Sequence, residues 1–244
     1  MLRLAGKVVL VTGGTRGIGR GIARAFLAEG ARVAYSGTSP RSVEAARAAL
    51  PGCEGIVAEL GEPDAPQRLV EEVLRRLGGI DILVNNAGVV SRASEWDLTP
   101  EEGDRLHAVN LRAAFFAARE AARSMRDRGG GSIVNVASIA GQNGGIAGSP
   151  ASASSKAALI GLTKSLARRF APHAIRVNCL SPADIETDMT ASWPQELRAR
   201  LTAITPLGRF GTVDEVTGAA LFLAGAEASY ITGQILAVNG GAYM

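Results

Sequence analysis

The chain has 244 residues, enough for one large α/β domain or two small ones. Lys and Arg number 26 against 23 Asp and Glu, without a run of five or six like charges, which argues against a nucleic-acid-binding protein. Cys53 and Cys179 are too few and too far apart for a disulfide framework or a metal site, and no apolar run reaches transmembrane length, so we expect a cytoplasmic protein without membrane or metal partners.

Short apolar runs alternate with longer helical patterns along the chain, as a doubly wound parallel sheet requires. The predicted strands, in chain order, lie at 8–11, 32–35, 56–58, 80–84, 132–136, 176–180 and 234–238. The predicted helices lie at 19–29, 42–50, 66–77, 100–128, 151–170 and 214–223. No linker, repeat or low-complexity tract interrupts the alternation. The pattern predicts an α/β fold of about seven parallel strands flanked by helices, in one domain over residues 1–244.

A glycine-rich loop separates the first predicted strand from the first helix. Gly13, Gly17 and Gly19 occupy the positions where a backbone must turn tightly and approach a pyrophosphate without a Cβ in the way. The free amides at the start of the helix would face that negative charge. A glycine triplet alone also fits a simple turn, but its place after the first strand favours dinucleotide binding.

The end of the second strand selects between the two nicotinamide dinucleotides. An acidic residue there would bind a free ribose 2′-hydroxyl and repel a 2′-phosphate. This chain offers Ser36 and Thr38 instead, with Arg16 and Arg41 nearby in sequence. Hydroxyls and guanidinium groups suit a 2′-phosphate, so we expect NADP(H). The alternative is that both arginines are solvated surface residues.

Two further positions point to chemistry on an oxygen atom. Ser138 follows the fifth strand, at the carboxyl edge where open α/β sheets bind ligands, and its hydroxyl would hydrogen-bond a substrate carbonyl. Ser152 and Lys156 are four residues apart, so they lie on one face of a helix, one turn from each other.

Several motifs together resemble the short-chain dehydrogenase/reductase family. They are Thr12-Gly13-Gly14-Thr15-Arg16-Gly17-Ile18-Gly19, Asn85-Asn86-Ala87-Gly88, Ser138, Lys156 and the segment Ser181 to Met189. The resemblance implies a Rossmann-type fold and hydride transfer. It implies catalytic roles for Ser138, Lys156, Asn110 and the position of Ser152. The cofactor contacts it implies, together with those expected above, are Gly13, Thr15, Arg16, Gly17, Ile18, Gly19, Ser36, Thr38, Asn86, Ala87, Gly88, Lys156, Pro182, Ile185 and Thr187.

The sequence departs from the family at the residue that transfers the proton. In the family a tyrosine stands four residues before the lysine, and this chain has Ser152 there, with no tyrosine between Tyr35 and Tyr230. A serine hydroxyl is a far weaker acid than a phenol and its side chain is much shorter. A second departure is Ala183, where the family usually has glycine.

The segments 185–189 and 230–241 are similar to those of 3-oxoacyl-acyl-carrier-protein reductases. Resemblance to this subgroup implies a homotetramer built through the two long helices and the C-terminal segment.

The first hypothesis is therefore an NADPH-dependent oxidoreductase for a small carbonyl, alcohol or imine substrate. Its proton would come from the substrate itself or from water held by Ser152, Lys156 and Ser138. Asp184 and Glu186 would attract a cationic imine or remain solvated loop acids. The second hypothesis is a cofactor-binding paralogue without turnover, with a regulatory or structural role.

Overall fold

A seven-stranded parallel sheet forms the centre of the molecule in the computed structural model, which describes residues 2–146 and 148–244. The strands are β1 (Val8–Val11), β2 (Arg32–Gly37), β3 (Glu54–Val57), β4 (Ile82–Asn85), β5 (Gly131–Val136), β6 (Ile175–Pro182) and β7 (Ile235–Val238). Their order across the sheet is β3-β2-β1-β4-β5-β6-β7, so the winding reverses between β1 and β4. Ligands of open α/β sheets bind at such a reversal, outside the carboxyl ends of the strands.

Ten α-helices occur in the described ranges. They are α1 (Gly17–Ala28), α2 (Pro40–Arg47), α3 (Ala65–Leu77), α4 (Pro100–His107), α5 (Ala113–Asp127), α6 (Ala140–Asn143), α7 (Pro150–Phe170), α8 (Asp188–Ala191), α9 (Gln195–Ile204) and α10 (Val213–Ala224). Several begin at a Ser or Thr whose side chain accepts a hydrogen bond from the first turn, followed by proline. The Ser or Thr side chain satisfies one backbone amide of the first turn. The proline has no N–H, and it occupies a position where an N–H would have no partner within the helix.

Two apolar layers cover the opposite faces of the sheet. Val9 and Val11 of β1 pack with α1 and α10, whereas Val8 and Leu10 pack with α3, α5 and α7. Because both faces are buried, the central strands are continuous apolar runs and not alternating ones. Alanines on α5 bring that helix close to the sheet.

The predicted fold class is confirmed, and all seven strands lie where the apolar runs placed them, with shifted ends. The predicted single helix over 100–128 is wrong in one respect. A π-helical turn at Ala108–Arg112 separates α4 from α5, and Asn110 lies within it. Such turns widen a helix by one residue and occur frequently at functional sites. The short helices α6, α8 and α9 have no counterpart in the predictions.

No helix in the described part of the chain combines the length and the apolar character needed to cross a bilayer. Across residues 2–146 and 148–244, no three His, Cys, Asp or Glu side chains are grouped as a metal site requires. Both cysteines are free thiols.

Candidate active site

The glycine loop between β1 and α1 is too tightly packed for side chains. Gly13 has φ +64°, and a Cβ there would lie 2.9 Å from Ala87 Cα. A Cβ at Gly19 would lie 2.3 Å from Gly13 O and 2.3 Å from Asn86 Nδ2. The loop adopts this tightly packed conformation because its sequence provides glycine at both crowded positions.

Hydrogen bonds from the segment after β4 hold the loop in place. Thr12 Oγ1 accepts from the backbone amides of Asn86 and Ala87, both at 3.0 Å. Asn86 Nδ2 donates in return to Thr12 O at 2.9 Å and to Gly13 O at 3.0 Å. Asn86, which the sequence analysis predicts to be a cofactor contact, thus fixes the shape of the loop in the structure.

The start of α1 has the properties of an anion site. Arg16 is its N-cap residue, with an extended backbone and no side-chain hydrogen bond to the first turn. The first-turn amides, those of Gly17, Ile18 and Gly19, are therefore left without a side-chain cap. Together with the crowded glycines, these amides fit the pyrophosphate of a dinucleotide.

The end of β2 carries no acid, and its two hydroxyl residues differ in position. Ser36 is 1% exposed, and its Oγ accepts a hydrogen bond from Gly13 N at 3.1 Å. Thr38, Arg16 and Arg41 are exposed. In this conformation Ser36 supports the loop, whereas the exposed three are the groups available to a 2′-phosphate. Thr15 packs beside them, since a Cβ at Gly37 would lie 2.5 Å from Thr15 Cγ2.

Lys156 lies close to both Gly88 and Asn110. A Cβ at Gly88 would be 3.2 Å from Lys156 Nζ and 3.3 Å from Asn110 Oδ1. Lys156 Nζ donates to Val136 O at 2.8 Å. Burial lowers the pKa of this ammonium group to about 8.

Asn110 uses both ends of its amide to hold the segment after β4. Its Nδ2 donates to Val89 O and to Ser155 Oγ, each at 2.9 Å, while Oδ1 accepts from Val89 N at 2.8 Å. The π-helical turn directs this side chain out of the α4–α5 helix. The residue is therefore a structural anchor next to Lys156.

Ser138 lies just beyond β5, at the same edge of the sheet. It is partly exposed, and its Oγ accepts from Ala140 N at 3.1 Å. That bond uses an acceptor position only, so the hydroxyl proton remains available to a substrate oxygen. Ser138 is in this way prepared as a donor.

Ser152 points its hydroxyl into the protein. The side chain is 7% exposed, and Oγ accepts from Ser91 N at 3.0 Å and lies 3.1 Å from Ser149 Oγ. Ser149 in turn donates its backbone N–H to Ser91 O at 2.9 Å. The Ser152 side chain therefore helps to join the start of α7 to the segment after β4.

The segment after β6 returns to the glycine loop. Pro182 ends β6 and its carbonyl accepts from Ile139 N, and Ile185 is buried. Thr187 caps α8, and its Cγ2 would be 3.6 Å from a Cβ at Gly17, so it lies against the start of α1. Ala183 has no positive φ and donates to Val238 O at 3.2 Å, so alanine fits this position without backbone strain.

The two loop acids at this edge differ in their partners. Glu186 pairs with Arg198 at 2.6 Å. Asp184 forms no ion pair with any residue that the structure describes, and burial raises the pKa of its carboxyl group. Of the two, Asp184 is the acid without a cationic partner among the described residues.

Sequence reasoning missed Ser91, Ser149 and the contact between Arg92 and Trp193. Ser149 has a local signal, because a serine directly before Pro150 is typical of a helix start. Ser91 has none, since it lies in an irregular segment and acquires its role from a residue 61 positions away. Arg92 and Trp193 likewise meet only in the folded chain.

Taken together, the glycine loop, the reversal of strand order and the polar residues at the carboxyl edge of the sheet are features typical of α/β proteins that bind dinucleotides. The family profile described as Enoyl-(Acyl carrier protein) reductase matches residues 13–243. The chain is 38% identical to the Escherichia coli (strain K12) 3-oxoacyl-acyl-carrier-protein reductase FabG, covering 100% of both. It is 40% identical to a 3alpha-hydroxysteroid dehydrogenase from Mediterraneibacter gnavus, covering 99% of this chain and 98% of that protein.

Solved structures agree with these matches. A mutant of a Serratia marcescens short-chain dehydrogenase/reductase is 38% identical and superposes with a TM-score of 0.91, covering 98% of this chain and 99% of the other. The chain belongs to the short-chain dehydrogenase/reductase family, and it is an oxidoreductase of that family by sequence and fold.

Proposed function

We propose that the protein is an NADPH-dependent oxidoreductase that reduces the carbonyl group of a small molecule, such as a 3-oxoacyl compound or another ketone, or an imine. One observation carries the proposal. The segment 86–88 contacts the glycine loop through Asn86 and Ala87, and Lys156 and Asn110 through Gly88. The proposed dinucleotide site and the polar residues therefore share one wall.

The residues present fit a phosphorylated dinucleotide. The first-turn amides of α1 and the crowded glycines would bind the pyrophosphate, while Arg16, Thr38 and Arg41 would bind the 2′-phosphate. Pro182, Ile185 and Thr187 would face the nicotinamide, and Lys156 its ribose. When bound, the nicotinamide supplies the hydride.

The chain's own residues then handle the substrate oxygen and the proton. Ser138 donates a hydrogen bond to the carbonyl oxygen and stabilises the negative charge that develops on it. Lys156 lies one helical turn beyond Ser152, and its protonated side chain stabilises the same negative charge. The Ser152 hydroxyl is committed to Ser91 and Ser149, so we propose that water held between Ser138 and Lys156 delivers the proton. An imine substrate that is already protonated would need no such donor.

The same Ser152 contacts support a second candidate function. With its hydroxyl used inside the protein, the chain lacks a side-chain acid of phenol strength at this position. A paralogue that binds NADPH without turnover and acts as a regulatory or structural subunit would show this arrangement. In either case we propose a homotetramer, to be measured by light scattering after size-exclusion chromatography.

The test is NADPH oxidation over a panel of ketones, 3-oxoacyl thioesters and cyclic imines, with the Ser152→Tyr variant alongside and NADPH binding measured by calorimetry. Turnover by the natural chain supports the reductase, and turnover of a ketone or 3-oxoacyl thioester supports a proton source other than a phenol at position 152. Turnover only in Ser152→Tyr supports the binding subunit, because it shows that the missing phenol alone disables the site. Absence of NADPH binding in both proteins rejects both candidates.

A further inference from the structure

Arg92 and Trp193 connect the two chain segments that follow β4 and β6. The guanidinium carbon of Arg92 lies 5.4 Å from the centroid of the Trp193 ring. Arg92 directly follows Ser91, whose amide is bonded to Ser152 Oγ. The side chains of Val90 and Ser152 both lie next to Gly148. A Cβ at Gly148 would be 3.6 Å from Val90 Cγ2 and 3.7 Å from Ser152 Cβ. Arg92 is therefore the next residue after a segment that contacts Ser152, in the proposed reaction site.

Among the residues that the structure describes, the Arg92 guanidinium has no acidic partner. Fourteen ion pairs occur among the described residues, and Arg92 takes part in none of them. Nor does it donate a side-chain hydrogen bond to any described residue, although Glu95 and Asp97 are close in sequence. Its N–H donors are therefore free to bind a ligand.

Arg198 provides the contrast within the same aromatic group. Its guanidinium carbon lies 4.4 Å from the centroid of Phe210, which packs edge-to-face on Trp193 at 6.2 Å. Arg198 has partners for its charge and its N–H groups, because it donates to Glu186 at 2.6 Å and to Thr190 O at 2.9 Å. Two arginines thus flank one aromatic pair, and only Arg198 is neutralised within the part of the chain that the structure describes.

The indole N–H of Trp193 is a second donor without an acceptor. Trp193 Nε1 is buried and is the one buried side-chain nitrogen or oxygen in the described ranges that has no hydrogen-bond partner. A buried donor left unpaired costs about 1–3 kcal/mol, so native proteins rarely keep one without a use. The Arg92 guanidinium and the Trp193 indole N–H belong to two side chains in contact with each other, and an anionic acceptor would suit both groups.

Resting on the reductase function proposed above, we propose that Arg92 and Trp193 form a subsite for a carboxylate at the end of the substrate remote from its carbonyl. The guanidinium pairs with the carboxylate, and Trp193 Nε1 donates to it once the arginine has turned toward the ligand. The substrate class is then an oxo acid.

The probes are 4-oxopentanoate and 6-oxoheptanoate, each compared with its methyl ester, which keeps the ketone and removes the charge. Binding is measured by calorimetry in the presence of NADP+, where no turnover occurs. The natural chain is expected to bind at least one acid about tenfold more tightly than its ester. In Arg92→Gln the preference falls to within about twofold, Arg92→Lys keeps part of it, and Trp193→Phe lowers it about threefold.

Arg105→Gln is the matched control, an exposed arginine on α4 with no ion pair among the described residues, and it should keep the full preference. Equal binding of acid and ester by the natural chain, or an unchanged preference in Arg92→Gln, overturns the subsite. NADPH oxidation with the esters tests the reductase separately. Reduced esters without an acid preference reject the subsite alone, and an acid preference without any NADPH oxidation rejects the reductase alone.

Discussion

Ser152 and Ser91 are joined by a buried hydrogen bond, from the amide of Ser91 to Oγ of Ser152 at 3.0 Å. A second bond, from Ser149 N to Ser91 O at 2.9 Å, runs beside it. The segment after β4 is thus bonded to the start of α7 at Ser152, the position for which the sequence resemblance implies proton transfer. The short hydroxyl has a structural role that a phenol at this position would not reproduce.

Removing that hydroxyl should destabilise the fold. In Ser152→Ala the buried Ser91 amide loses its acceptor, and we expect the free energy of unfolding to fall by about 1–3 kcal/mol, measured by urea denaturation. Ser154→Ala is the matched control on the same helix, because Ser154 is exposed, and it should change stability by less than about 0.5 kcal/mol. Equal stabilities for the two variants would show that the Ser91 bond contributes nothing.

Crowding at Gly19 makes the glycine loop intolerant of one methyl group. A Cβ there would lie 2.3 Å from Gly13 O, which is backbone and has no room to move without distorting the loop. We expect Gly19→Ala to weaken NADPH binding at least about tenfold and to lower stability by about 1–3 kcal/mol. Gly218→Ala on α10 is the control. Nothing lies within 4 Å of its Cβ, so it should keep NADPH affinity and gain about 0.5–1 kcal/mol. Similar losses in both variants would argue against the crowding.

Much of the fold was predictable because its signals are local. Val8 to Val11 form an apolar run covered on both faces, and Gly13 to Gly19 satisfy a steric demand that is visible as residue type. The π-helical turn at 108–112 is different. It depends on the amide of Asn110 reaching Val89 in another segment, and nothing in the helical pattern of residues 100–128 indicates that contact.

The candidate site was predictable in its positions but not in its contacts. Ser138 was located by its place at the carboxyl edge of the sheet and Lys156 by its spacing from Ser152 on one helix face, and in the structure Ser138 follows β5 while Lys156 Nζ donates to Val136 O at the end of the same strand. Ser36 shows the limit. Its residue type suits a phosphate, yet it is buried because the Gly13 amide needs an acceptor. A hydroxyl's partner depends on the folded neighbourhood, which a single sequence does not display.

Arg16 should determine the preference for NADPH over NADH. It is exposed beside the end of β2, where no acid competes for its charge. Replacing Arg16 with Ala is expected to weaken NADPH binding about tenfold and to leave NADH binding nearly unchanged, since only NADPH carries the 2′-phosphate. Arg24→Ala, an exposed arginine on α1 that pairs with Asp214, is the control. If the binding of NADPH and the binding of NADH weaken equally, Arg16 acts on the conformation of the loop and not on the 2′-phosphate.

Lys156 should give the activity and the stability opposite dependences on pH. Burial lowers the pKa of its ammonium group from 10.5 to about 8, so the charge that favours the developing oxyanion is lost as pH rises through about 8. We therefore expect kcat/KM for ketone reduction, at saturating NADPH, to fall above pH 8. The unfolded chain still binds this proton up to pH 10.5, so between pH 8 and 10.5 the contribution of Lys156 to the free energy of unfolding rises with pH.

The opposite signs separate loss of a catalytic charge from alkaline unfolding. Lys156→Arg keeps its charge throughout this range, because the guanidinium pKa exceeds about 12. Its activity should be lower but flat from pH 7 to 9.5, and its stability should lack the component that rises with pH. The readouts are kcat/KM profiles and urea denaturation at each pH, for the natural chain and the variant. A fall in activity above pH 8 that persists in Lys156→Arg would assign the titration to another group.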